Sequence, residues 1–340
     1  MNIARLNRAS IGKMLEIIGK HKPAVVGIDA FFRKEKGAED FALMMRMSQI
    51  EQLVLVSELD SAGEDGDSWN SVNYSNPMFM DFAQSGFANV ITGEQTHGGF
   101  RTVRDFVPYF NVNDTVVPNF TSKIVSLFDS SAYNDLMLRS NHLEPIKWRG
   151  NYTKFFHLDY NQVLEGQFDP SIITDKIILF GYIGDYVGGQ DSYIDKFFTP
   201  MNDRPAGRTY PDMYGIVVHA NVISMILNSD YIHKAPSWLN MLHAVLIGYL
   251  NVLLFIWVAR RYKHLSDLIT KPFQIFELIV LVFISVIFVL NYQVKFNLTL
   301  TLIIIAFSGD LTELYYGSVK GLALKQWNKI THHNMPKNDE

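Results

Sequence analysis

Between Leu239 and Ala259 the chain runs for 21 residues without an acidic, lysine or arginine side chain. At 1.5 Å per helical residue, such a run crosses a hydrocarbon layer of about 30 Å. Trp238 opens the run and Trp257 lies near its end, both suited to the headgroup boundary, where an amphipathic indole is favoured. Two further apolar runs begin at Ile275 and Phe296 with Lys295 between them. The pattern predicts three spans at about 239–259, 275–294 and 296–316, the last two forming a hairpin, with 320–340 as a short tail. The alternative is a buried helical pair in a soluble protein, but three runs this long in roughly 80 residues are unusual there.

Lysine and arginine resist translocation, so their placement sets orientation. Arg260, Arg261, Lys263 and Lys271 flank the first loop, and Lys320, Lys325, Lys329 and Lys337 lie in the tail; the loop between the second and third runs has Lys295 alone. This asymmetry places the first loop and the C-terminus in the cytoplasm and residues 1–237 outside. The opening residues are an amphipathic helix, with Ile11, Met14, Leu15 and Ile18 on one face, and carry no export signal. The expectation is that an upstream export segment is missing from this chain.

Before Trp238 there are 28 acidic residues against 21 basic ones, and no lysine or arginine between residues 47 and 100. That balance excludes a nucleic-acid-binding face, which needs clustered positive charge. The absence of cysteine removes disulfides, thiolate nucleophiles and thiolate metal sites. His157-Leu-Asp159 and the scattered His97, His142 and His233 lack the spacing that sets two metal ligands on one helical face, so neither metal nor cofactor is expected.

Ahead of the membrane segment, Ala24–Phe31, Leu53–Ser57 and Lys176–Gly181 read as buried strands of a parallel sheet, and a helix between the first two completes a strand–helix–strand unit. Residues 86–92 and 100–110 read as two strands joined by a glycine-containing turn, and helices are predicted over Thr121–Leu138 and Gly215–Leu227. The fold class is α/β: a parallel or mixed sheet with flanking helices, followed by the α-helical membrane segment.

Four segments in this order, VVGIDAFF (25–32), GFANVITGEQTHGGFRTVRDFVPYF (86–110), TDKIILFGYIGDYVGGQDSYIDKFFTPM (174–201) and YGIVVHANVISMIL (214–227), resemble the CHASE type two family. Its members are outward-facing sensory domains of bacterial histidine kinases, adenylate cyclases and related receptors. The histidine-alanine-asparagine triplet, with an Asp-x-x-x-Thr-Pro element about twenty residues upstream, is the most specific part of the match. The resemblance implies a bacterial inner-membrane protein with an extracytoplasmic sensory domain over 1–237 and three spans after it. It also implies a transmembrane helix and first strand ahead of this chain's opening helix.

Ligands of open α/β sheets bind where loops converge beyond the carboxyl ends of the strands. Asp29 ends one strand, and Gly181, Gly184 and Asp185 follow another. Asp195 and Thr199 belong to the Asp-x-x-x-Thr-Pro element, where bonds that merely fix the loop compete with ligand contact. His219 and Asn221 open a helix, and His219 titrates near neutrality unless its surroundings shift it. The candidate ligand-binding set is Asp29, Gly181, Asp185, Asp195, Thr199, His219 and Asn221. Within the third run Asp310 is costly in lipid unless paired, and Arg260 or Arg261 is its expected partner. No G-x-S-x-G elbow or other nucleophile motif is present. The expected function is therefore a non-enzymatic receptor in the lipid bilayer that takes a small-molecule or protein ligand and signals to a cytoplasmic partner or through a homo-oligomer. A hydrolase using Asp29 or Asp195, or a structural subunit of an envelope complex, are the alternatives.

Overall fold

The computed structural model describes residues 1–3, 6–61, 69–90, 102–184, 194–203, 210–262 and 266–315. The chain forms two units, one over Met1–Tyr231 and one beginning at Ile232.

In the first unit, parallel strands Gln84–Phe87, Leu53–Ser61, Val25–Ile28 and Ile177–Phe180 lie side by side in that order. Trp69–Asn73 pairs antiparallel with the distal part of Leu53–Ser61, so the sheet is mixed. Asn2 bridges Gly181 at the free edge. Successive strand side chains point to opposite faces, and the core divides accordingly. Val25, Val54 and Val56 pack with the helices Phe120–Phe128 and Gly215–Leu227 on one face. Val26, Ile28, Leu53 and Leu55 pack with Arg8–Gly19 and Ala38–Met47 on the other. A continuous apolar strand is what a sheet covered on both faces requires.

Two expectations change in detail. The helix predicted over Thr121–Leu138 is two helices, Phe120–Phe128 and Ser130–Leu138, because Asp129 adopts an extended backbone and its carboxylate accepts hydrogen bonds from the N–H groups of Ser131 and Ala132. Gln84–Phe87 joins the parallel sheet and Tyr109–Val112 forms a hairpin with Thr115–Pro118, while the predicted glycine-containing turn lies outside the described residues. Gly86 is required where the sheet meets a helix: a Cβ there would lie 2.6 Å from the Cα of Phe120.

Below the sheet, Arg8 and Asp40 form an ion pair with side chains only 6% and 4% exposed. Arg8 also donates to the Lys34 carbonyl at 2.5 Å and lies over the rings of Phe32 and Phe79, while Asp40 accepts from the Lys36 N–H. Burial raises the Asp40 pKa, but the Lys36 N–H and the Arg8 guanidinium outweigh it and hold the carboxyl below its usual range. These bonds pin the segment that leaves the first strand at Asp29. Arg8→Ala leaves a buried carboxylate uncompensated and is expected to cost about 3–5 kcal/mol, read as a lower urea midpoint for the full chain in detergent.

In the second unit, Ser237–Arg261 and Leu268–Tyr292 are long and apolar enough to cross a membrane. The third helix, Thr299–Leu314, has 16 residues, so among the described residues two helices meet that length where three were expected. The second starts at Ser266, earlier than its apolar run, and takes in Pro272 and much of the predicted basic loop. Val294–Lys295 pairs with His233–Lys234 at the turn between the second and third helices.

Candidate functional site

Asp29 directly follows the first strand. Its N–H donates to the Phe180 carbonyl at 2.7 Å, and the alternation of the strand points its side chain toward the face covered by Gly215–Leu227. From that helix His219 approaches, its Nε2 3.9 Å from Asp29 Oδ2, with the two side chains 7% and 17% exposed. Phe120 meets the imidazole edge-on at 5.2 Å between ring centroids.

Asp195 reaches the same helix from its N-terminal end. It sits at φ +54°, its carbonyl accepts the Gly215 N–H at 2.9 Å, and its carboxylate oxygens lie 2.9 and 3.1 Å from where a Cβ on Gly215 would stand. A side chain at position 215 would displace the carboxylate. Asp195 is itself exposed, so the cluster is reachable from the surface.

Protein packed around these groups disfavours their charged forms. Burial raises Asp29 to about 6 and lowers His219 to about 4. Although the Asp195 residue as a whole is exposed, its carboxylate packs against Gly215, and desolvation there raises it to about 7, with the charge of Asp29 adding to the shift. Among the described residues no hydrogen bond reaches the carboxylate of Asp29 or Asp195, or the His219 ring. The arrangement is two carboxyl groups poised near neutrality beside a neutral imidazole, at the carboxyl end of a parallel strand.

The other predicted residues have different duties. Thr199 fixes its own loop: its hydroxyl donates to Asp212 Oδ2 at 2.5 Å and accepts the Met201 N–H, while its N–H donates to Asp212 Oδ1. Together with the pairing of Lys196–Phe197 against Met213–Tyr214, this loop sets Asp195 beside Gly215. Asp212 went unpredicted because nothing in its neighbourhood marks it; only the folded hairpin brings it to Thr199.

Asn221 is a correction. It is fully buried, its oxygen accepts the N–H groups of Arg149 and Gly150, and its amide donates to the carbonyls of Gly150 and Val217. A clamp with its capacity spent on backbone has none left for a ligand. Gly181 serves packing: a Cβ there would fall 2.6 Å from Cβ of Ile216. Asp185 lies outside the described residues.

A separate open groove of about 580 Å³ runs beside the edge strand, lined by Phe155, Ile177, Leu179, Ile216, Ile223 and Leu227 among others. None of Asp29, Asp195 and His219 lines it. Its walls are mostly apolar, and the ionisable chemistry lies elsewhere.

In the second unit Asp310 pairs with Lys271, not with Arg260 or Arg261. Gln274, three residues along the same face of the second helix, donates to the Ile305 carbonyl at 2.6 Å, and Gly309 leaves room for it. That packing sets Lys271 opposite Asp310. Sequence reasoning passed over Glu277, which accepts a hydrogen bond from Asn251 at 2.8 Å between the first and second helices. A carboxylate in an apolar run was the available signal.

The CHASE2 domain family matches residues 3–259. This chain belongs to the CHASE2 domain family. That is a family of sensory domains, and the match takes in both the ionisable cluster and the first apolar helix. No curated protein and no solved structure matches the chain.

The unpartnered carboxyl of Asp29 in this CHASE2 domain has a thermodynamic signature. With its folded pKa raised, the proton contributes stability below the ordinary value of 3.8, and this is lost as pH rises through about 6. His219 acts in the opposite sense: its contribution is present above the ordinary 6.5 and lost as pH falls through about 4. Asp29→Asn mimics the protonated acid. Thermal unfolding should show this variant more stable than the parent at neutral pH, by up to about 3 kcal/mol at roughly 1.4 kcal/mol per pKa unit, with the gap closing as pH falls below 4.

Proposed function

We propose that this protein is an outward-facing membrane sensor whose ligand enters the crevice formed by Asp29, Asp195 and His219, and whose membrane helices, three in number, pass the change of state to a cytoplasmic partner. One observation carries the site: the two carboxyls and the imidazole are crowded by protein, lie together beyond a parallel strand, and have no hydrogen-bond partner among the described residues. Groups left in that condition cost stability, and such costs concentrate where function requires them. The other acids of the domain with shifted pKa values behave differently, since Asp40 and Asp230 are held by cations or backbone N–H groups.

Ligand binding moves a two-state equilibrium only through its different affinity for the two states. His219 and Asp195 both attach to the Gly215–Leu227 helix, so a ligand bridging them to Asp29 acts on the position of that helix against the sheet. Polar contacts between the membrane helices, Asn251 with Glu277, Gln274 with the Ile305 carbonyl and Lys271 with Asp310, define a register that can differ between states. The charge asymmetry of the flanking segments supports the outward placement of the domain.

The chain has no cysteine, which makes orientation directly measurable. A cysteine placed at exposed Lys34 should react with a membrane-impermeant maleimide in intact cells, and one placed at exposed Tyr262 should react only after permeabilisation. The reverse pattern would place the domain in the cytoplasm and end the outward-sensor reading.

A further inference from the structure

The chemistry of the ligand can be derived if the crevice is the binding site, as proposed above. Asp29 and Asp195 have no lysine or arginine partner among the described residues. Lys196, adjacent to Asp195 in the chain, has its Nζ 4.6 Å from the centre of the Tyr214 ring. His219 supplies the second, independent observation. Its side chain is more than nine-tenths buried and makes no hydrogen bond among the described residues, and its Nε2 faces Asp29 across 3.9 Å, beyond hydrogen-bond reach. The cluster thus offers acceptors: the carboxylate of Asp195, on an exposed residue, the largely buried carboxylate of Asp29, and an imidazole ring nitrogen.

Acceptors that have no donor among the described residues select a ligand that brings donors and positive charge. An anion would add like charge beside the carboxylates, and a neutral polyol would leave their charge uncompensated. A metal ion needs several ligands converging within coordination distance, and among the described residues no group of three histidine or acidic side chains is placed to hold one. An ammonium carries three N–H donors and a guanidinium five, enough to span separated acceptors. We infer that the crevice recognises an organic cation, an ammonium or guanidinium group that donates hydrogen bonds to the carboxylates of Asp29 and Asp195 and to the unprotonated nitrogen of His219.

The test uses the full chain in lipid nanodiscs. Putrescine and arginine methyl ester are titrated by calorimetry and thermal unfolding at constant ionic strength, beside 1,4-butanediol as the uncharged counterpart and magnesium chloride as the metal arm. At least one of the two organic cations should bind and raise the unfolding temperature, and butanediol should not. Asp29→Asn and Asp195→Asn should each weaken that binding about tenfold or more, the loss expected for one charged hydrogen-bonded partner. Absence of binding by both cations, binding unchanged in both variants, or equal stabilisation by magnesium overturns the assignment. Cross-linking between cysteines placed on the first two membrane helices separates this inference from the relay. Cation binding that leaves cross-linking unchanged contradicts the relay and leaves the ligand class standing. A cross-linking response to a neutral or anionic ligand that is lost in Asp29→Asn contradicts the ligand class and leaves the relay standing.

Discussion

The first strand of the sheet ends in a carboxyl group that burial disfavours in its charged form and that no cation or hydrogen-bond donor among the described residues compensates. Asp29 lies 3.9 Å from a neutral His219, and the helix carrying that histidine begins at Gly215, against which Asp195 is packed. These two contacts link one helix to the groups of the candidate site. The rest of the domain holds those contacts in place.

The support is made of polar networks that are satisfied. Arg8 and Asp40 anchor the segment leaving Asp29, Asp212 holds Thr199 and so the loop of Asp195, and Asn221 fastens the far face of the His219 helix to Arg149 and Gly150. Each is buried or partly buried and held by hydrogen bonds, as low-dielectric surroundings require. Against that background the bare carboxyls of Asp29 and Asp195 stand out as a local departure. Such a departure is what a site awaiting a ligand looks like in energetic terms.

How much of this could be read in advance follows from the range of the interactions. Strands at Val25–Ile28, Leu53–Ser61 and Ile177–Phe180 and the helix Gly215–Leu227 announce themselves through local apolar runs, and so do the two long apolar helices. Asp29 and His219 were nominated from a strand end and an apolar helix, and the fold brings these two side chains together. The roles of Asn221 and Gly181 were not, because hydrogen bonds across 71 residues and a 2.6 Å approach to Ile216 exist only in the folded chain. For Asp310 the expected partner was Arg260 or Arg261, and the pairing with Lys271 depends on which helix faces turn toward each other. The break at Asp129 escaped because apolar periodicity continues through it while the capping carboxylate stops the helix.

In the resting protein Asp29 is a buried carboxyl with no compensating partner among the described residues. Infrared difference spectroscopy of the full chain, comparing the parent with Asp29→Asn as pH is varied, observes that proton through the carbonyl stretch of the un-ionised acid. The account predicts a carboxylic-acid band, absent from the variant, that disappears as pH rises through about 6. Its disappearance at or below the ordinary aspartate value of 3.8 would mean that the carboxylate is compensated, and the proposed site would lose its physical basis.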